Sequence, residues 1–269
     1  MFKKKRNLPW EMLPAILALA WPTMMEQVMS TAVQYIDTAM VGSVGTQATA
    51  AVGSTTTINW LVNSSISALG IGFLSYIARE MGAGHKDVVK ETVKQAVLIV
   101  LTVGILATII TAGLSGVIPK WMQVDESIAP LASRYFFILY IVMLPRSAMM
   151  IFSSILRAAK DSKTPMKIGI IINMINVMLN FILIYPSRGL SCFGIEFWMW
   201  GADLGVVGAA IASSIAFCVG GLLTTVAIWK NPLLSPGRMQ YRFNLDILRP
   251  CMQVALPNML QRFATSLGY

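Results

Sequence analysis

Two carboxylates, Glu26 and Asp37, stand eleven positions apart in a stretch otherwise dominated by Met, Val, Ile and Ala. At about 100° per residue, eleven positions bring a helix back to within about 20°, so both would share one face, about three turns apart. Ser30, Gln34, Gln27, Thr38 and Thr31 fall on the same side. Two amide stripes accompany them, Asn59, Asn63 and Ser67 at i, i+4, i+8, and Asn173, Asn176 and Asn180 at i, i+3, i+7. Carboxylates among amides and hydroxyls can hold a proton or a small cation and attract a cationic ligand. Groups for making or breaking bonds are missing. There is one histidine, His85, no Cys/His cluster for zinc or haem, and no Ser-His-Asp set. Gly82-Ala83-Gly84-His85 lacks the spacing of a phosphate-cradling loop, so no ATP use is expected. The sequence predicts no enzyme, no cofactor and no metal centre beyond a Na⁺ near Asp37.

The elements that must position these residues follow from composition. The chain has 269 residues, 56% hydrophobic and only 12% charged, with a mean hydropathy of +0.67. Soluble domains carry about 25% charged residues, so this chain cannot cover a water-soluble globule. Its partner is the lipid bilayer. The net charge of +9 would suggest nucleic acid in a soluble protein, but here the basic residues lie in short segments between apolar runs. Nucleic acid is therefore excluded as a partner. Cys192, Cys218 and Cys251, odd in number and far apart, give no disulfide framework.

A spanning helix needs about 20 mostly apolar residues. Such runs lie at 13–41, 48–78, 92–118, 131–156, 166–185 and 204–229, and a seventh begins near Ile247. The expected organisation is a cytoplasmic basic N-terminus at 1–12, read as an uncleaved signal anchor, then a six-transmembrane-helix lobe at 13–229. A cytoplasmic linker at 230–246 and the start of a seventh helix at 247–269 complete it. Lys and Arg number four in the N-terminus (Lys3, Lys4, Lys5, Arg6) and four in each even loop, while the odd loops hold only Lys120, Arg134 and Arg188. That bias predicts a cytoplasmic N-terminus. Ala20-Trp21-Pro22-Thr23-Met24 and Ala255-Leu256-Pro257-Asn258-Met259 form a repeat of the kind transporters use.

An ionisable residue inside a span costs several kcal/mol and is a functional hypothesis by default. The polar stripes of the first, second and fifth spans would together line a water-accessible cavity, acidic and rich in amides. Hydrogen bonding between neighbouring helices is the plainer reading of the same residues. Arg146 follows Pro145 inside the fourth run. It would bond the carbonyl that the proline frees, pair with a carboxylate, or snorkel to an interface. Phe193, Phe197, Trp198 and Trp200 read as an outer aromatic belt, and Trp10 as an inner one.

These motifs together resemble the MATE (multidrug and toxic compound extrusion) family. Ala20-Trp21-Pro22 through Glu26 to Ile36-Asp37-Thr38-Ala39-Met40-Val41-Gly42 is similar to that family's opening pattern, followed by Ala50-Ala51-Val52-Gly53. Arg79-Glu80-Met81-Gly82-Ala83-Gly84, Leu156-Arg157-Ala158-Ala159-Lys160-Asp161-Ser162-Lys163-Thr164-Pro165 and Gly205-Val206-Val207-Gly208-Ala209-Ala210 resemble its later turns and the start of its sixth helix. The resemblance implies an all-α polytopic membrane protein, the six-helix N-lobe of a twelve-helix, two-lobe transporter cut in its seventh helix, with a C-lobe still missing. It implies export of amphipathic or cationic drugs in exchange for H⁺ or Na⁺. Asp37 matches the family's acidic residue on the first helix and Asn176 an asparagine on the fifth. At Asn180 several members carry aspartate, so Asp37 alone would titrate in this lobe.

On this reading Asp37, Glu26, Gln34, Asn59, Asn63, Asn173, Asn176 and Asn180 bind cargo or ion, while Pro22, Pro145 and Arg146 serve bending or gating. Two other classes compete. A lipid-linked oligosaccharide flippase would need Arg and Lys in the cavity to hold pyrophosphate. A non-transporting membrane fragment would need no cavity.

Overall fold

The computed structural model describes residues 13–192, 195–237 and 242–267. The basic segment Met1–Arg6, Trp10, Phe193 and the side chains of Arg188, Cys192 and Phe197, all given roles above, lie outside the described residues.

Each apolar run becomes a helix. Helix α1 is Leu13–Gly42, α2 is Thr46–Ala83 and α3 is Lys86–Leu114. A single turn, α4 (Ile118–Trp121), follows, and then α5 (Ala129–Tyr140) and α6 (Met143–Ala158). After them come α7 (Lys163–Leu183), α8 (Gly205–Lys230) and α9 (Leu245–Leu267). By length and composition α2, α3, α7 and α8 can cross a membrane, and the α5–α6 pair adds a fifth crossing if taken as one bent span. Helix α1 is as long as these, but its polar wall dilutes its apolarity.

Breakers set the boundaries. Gly84 adopts φ +83° at the end of α2, a left-handed conformation natural to glycine, and its N–H caps the helix carbonyls. Asp161 opens α7 by accepting from the Thr164 backbone N–H at 3.0 Å and its hydroxyl at 2.6 Å. The expected fourth span is one run in sequence but two helices in space. Pro145 has no N–H to offer the carbonyl of Ile141, and α5 meets α6 there at 51°. The proline within α1 acts differently, since that helix runs through Pro22 unbroken.

Helix α6 is central, packed on α2, α3 and α8. Phe73, Ile77, Val93, Phe136, Tyr140, Met143, Ile151, Phe152 and Ile155 form its buried surroundings, with the Phe136 and Tyr140 rings stacked at 4.0 Å. Helix α1 leans on α7, and α9 lies along α2. These approaches are close: a Cβ on Gly221 of α8 would strike the Pro145 carbonyl oxygen of α6. The chain entering α9 is held by Gln95 of α3, fully buried. Gln95 Nε2 donates to the Arg242 carbonyl at 2.7 Å, and the Asn244 N–H donates to Gln95 Oε1 at 2.9 Å.

Beside the helices there is, among the described residues, one pair of strands. Between α7 and α8 the chain forms an antiparallel hairpin, β1 (Pro186–Cys192) with β2 (Ile195–Ala202), pairing Leu190 with Phe197 and Gly189 with Trp198. Ile195, Phe197, Trp198 and Trp200 are β-formers in a run too short and too interrupted for a helical stripe. Trp198 and Trp200, two positions apart, share a face and are 75% and 66% exposed, as an interfacial aromatic pair would be.

Candidate functional site

The three polar stripes converge. A cavity of about 550 Å³ lies between the helices. Helix α1 supplies Ser30, Gln34, Asp37 and Thr38, α2 supplies Asn59, Asn63 and Ser67, and α7 supplies Asn173, Asn176 and Asn180. Tyr135 of α5, Arg146 of α6, Ser213 and Phe217 of α8 and Arg262 of α9 also line it, with Thr55, Thr56, Trp60 and Ser64 of α2. The volume falls in the range of small-molecule sites, about 300–1,000 Å³.

Asp37 is held from the opposite wall. Asn180 Nδ2 donates to its Oδ1 at 2.6 Å. One end of the Asn176 amide lies 2.9 and 3.1 Å from the two carboxylate oxygens, and the other lies 3.1 Å from Ser213 Oγ. Facing an ionised carboxylate, that nearer end is the NH₂ group. Asn176 and Asn180 are both buried, and Asn180 Oδ1 finds no hydrogen-bond donor among the described residues. An orphaned oxygen beside a carboxylate suits a hard cation such as Na⁺. Among the described residues no cluster of three His, Cys, Asp or Glu exists for a transition metal.

A second network lies between α2 and the α5–α6 pair. Asn59 Oδ1 accepts from Asn63 Nδ2 at 2.9 Å, from Arg146 Nη2 at 3.0 Å and from the Tyr140 hydroxyl at 3.2 Å. Asn59 thus lines the cavity and also ties three helices together, so both readings of that stripe hold for it. Arg146 is buried, its guanidinium 4.3 Å from the Phe217 ring centroid. It does not snorkel, and among the described residues it meets no carboxylate.

Two expectations are corrected. Glu26 does not line the cavity; its Oε2 accepts from Arg157 Nη1 at 2.9 Å, joining α1 to the end of α6. Eleven residues along α1 kept it on Asp37's face but moved it about three turns along the axis, to where α6 ends. The lining is also not acidic. Among the described residues, Arg146 and Arg262 face it with a single carboxylate, Asp37. Arg146 was legible as an intramembrane charge, whereas the inward placement of Arg262 depends on α9 packing along α2. Neither Pro22 nor Pro145 touches the cavity.

Comparison with known proteins identifies the family. The MatE family model matches residues 22–182. The chain belongs to the MatE family. Among curated relatives, it is 26% identical over 275 residues to a Thermotoga maritima protein named "Probable multidrug resistance protein NorM", covering 98% of this chain and 55% of that one. It is 29% identical over 249 residues to "Multidrug resistance protein MdtK" of Edwardsiella ictaluri, covering 90% and 48%. The chain spans about half the length of the curated relatives it matches. Its fold superposes on a MATE crystal structure in complex with MaD3S at a TM-score of 0.83 and 24% identity, covering 94% of this chain and 54% of that one. A MOP-superfamily transporter from Pyrococcus furiosus gives 0.79 at 24% identity, with 94% and 53% covered. The fold is that of one lobe of a MATE transporter together with the first helix beyond it, in a multi-pass membrane protein.

Proposed function

We propose that this MatE chain works as the N-lobe of a secondary active antiporter that exports amphipathic or cationic drugs in exchange for H⁺ or Na⁺. On this reading 1–12 and the linker 230–246 face the cytoplasm, 13–229 is the lobe, and 247–269 begins the C-lobe. The membrane is the bacterial inner membrane. The observation that carries the reading is Asp37, a lone carboxylate in a drug-sized cavity, gripped by Asn180 at 2.6 Å. Gln34, Asn59, Asn63, Asn173, Asn176 and Asn180 supply adaptable polar contacts around it. The bend at Pro145 and the proline at position 22 give the lobe places to flex.

The neighbours of Asp37 support a two-state exchange. With Asp37 ionised, Asn176 points NH₂ at it and accepts from Ser213. With Asp37 protonated, the amide turns over: its oxygen accepts from the Asp37 hydroxyl and its NH₂ donates to Ser213 Oγ. The Asn176 amide and the Ser213 hydroxyl each keep a partner in both states, so turning the amide over strands neither of them. Protonation removes the attraction for a cationic cargo, which then leaves. Sodium would act at the same place, between the carboxylate and Asn180 Oδ1.

The test is ion-driven efflux of a cationic rhodamine ester by the full-length protein and its Asp37→Asn variant, at matched membrane abundance. Loss of efflux in the variant is expected. Undiminished efflux removes Asp37 from the mechanism. The arginines Arg146 and Arg262 favour, as a second reading, a flippase of lipid-linked oligosaccharides whose pyrophosphate they would hold. A wild-type protein that binds and moves no dye would leave that reading standing.

A further inference from the structure

We infer that Glu26 and Arg157 form an inner gate, a contact that must part before solvent or cargo passes between the cytoplasmic side and the central cavity. The inference rests on the exporter reading above and adds a closure point to it.

The pair stands between two hollows. Beside the central cavity of about 550 Å³ there is a groove of about 470 Å³, lined by α1 between Ile16 and Met24 and by Arg157 and Ser162. Three helices place the two hollows in the same order. On α1 the groove ends at Met24 and the cavity begins at Ser30. On α6, whose numbering runs the other way, the cavity ends at Met150 and the groove takes Arg157. On α7 the groove takes Ser162, just before the helix, and the cavity begins at Ile172. The gap on α1 is about 9 Å at 1.5 Å per residue. Glu26 stands in that gap and lines neither hollow, and its Oε2 accepts from Arg157 Nη1 at 2.9 Å. Gly169 of α7 backs the contact, since a Cβ placed there would lie 3.4 Å from Glu26 Cγ. The ion pair thus crosses the lobe where groove and cavity would otherwise join.

The strength of the pair suits a contact that opens. Each side chain is 24% exposed, so water screens the attraction and replaces it when the two part. A fully buried pair would instead strand two charges on opening. Arg157 lies in the last turn of α6 and lines the groove, so its side chain can swing toward the groove while the buried core of α6 stays in place. A plain clamp only fixes α1 to α6. A gate also decides what reaches position 30 from below.

The test is cysteine labelling of the full-length protein, its native cysteines replaced by serine, with a membrane-impermeant maleimide applied to inside-out vesicles. Thr23→Cys reports on the groove below the pair and Ser30→Cys on the cavity above it. With the pair intact, Thr23→Cys should label much faster than Ser30→Cys. Glu26→Gln or Arg157→Gln should speed labelling at Ser30→Cys roughly fivefold, as loss of a partly exposed ion pair allows, and leave Thr23→Cys unchanged. The exchange of Glu26→Arg with Arg157→Glu should restore slow labelling. Equal rates at the two positions with the pair intact overturn the gate, whether or not the variants fold. An unchanged rate at Ser30→Cys in folded variants overturns it in favour of a purely structural pair. Faster labelling at both positions together overturns it in favour of a general loosening. Right-side-out vesicles separate the two readings. Ser30→Cys labelled from the outer face but indifferent to the pair sinks the gate alone, whereas labelling from neither face sinks the exporter reading with it.

Discussion

Asn180 and Asp37, 143 positions apart in sequence, meet at 2.6 Å, amide to carboxylate, and join α7 to α1 across the cavity. The contact sets both the position of the charge and the packing of two helices, so its removal should separate the two roles. Asn180→Leu deletes the donor and leaves an apolar side chain of the same branched shape. A hydrogen bond to a charged group is worth about 1.5–3 kcal/mol, so ion-driven dye efflux should fall roughly tenfold or more. Asn180→Gln, which keeps an amide, should retain more efflux than Asn180→Leu. Equal efflux from the two variants at equal abundance would mean that the amide does not serve Asp37.

The Glu26–Arg157 pair should behave as a clamp and leave cargo affinity alone. Both side chains are 24% exposed, so solvent screens the pair, and a coupling of about 1 kcal/mol is expected. A double-mutant cycle of Glu26→Gln and Arg157→Gln, read by thermal unfolding in detergent, measures it. Dye affinity should be unchanged in Glu26→Gln. A large loss of binding would return Glu26 to the cargo site.

Gly221→Ala should loosen the bundle where α8 meets α6. The new Cβ would run into the Pro145 carbonyl, and overpacking of this kind costs about 1–3 kcal/mol. A lowered Tm of several degrees is expected. Gly82→Ala is the control, because nothing lies within 4 Å of its Cβ position and alanine favours a helix. A Gly221→Ala protein as stable as Gly82→Ala would show that the α6–α8 approach is not tight.

The helices were legible because apolar runs end at breakers whose physics is local, Gly84 among them, whereas Pro145 sat inside a run read as one span and bent it. The cavity's amides were legible for a similar reason, since Asn59 with Asn63 and Asn173 with Asn180 repeat at helical spacing. What sequence spacing leaves out is how far along its axis a residue meets its neighbours. Glu26 and Asp37 share a face of α1, yet one reaches the end of α6 and the other the last turn of α7. The sign of the lining escaped for the same reason, because Arg146 and Arg262 join it only through the packing of α6 and α9. The hairpin 186–202 had a signal, the β-forming residues Ile195 to Trp200, but it was masked by reading those aromatics only as an interfacial belt.

Gln95 meets the chain before α9 through main-chain groups alone, accepting from one N–H and donating to one carbonyl two residues away. Peptide groups are the same whatever residue carries them. Residues 242 and 243 are therefore free to vary in side chain without losing this hold, while Asn244 also caps α9, its Oδ1 accepting from the Asp246 N–H at 3.0 Å; the hold itself rests on a distant glutamine. A substitution there would unfasten a segment that no change within the segment itself, short of proline at position 244, could release.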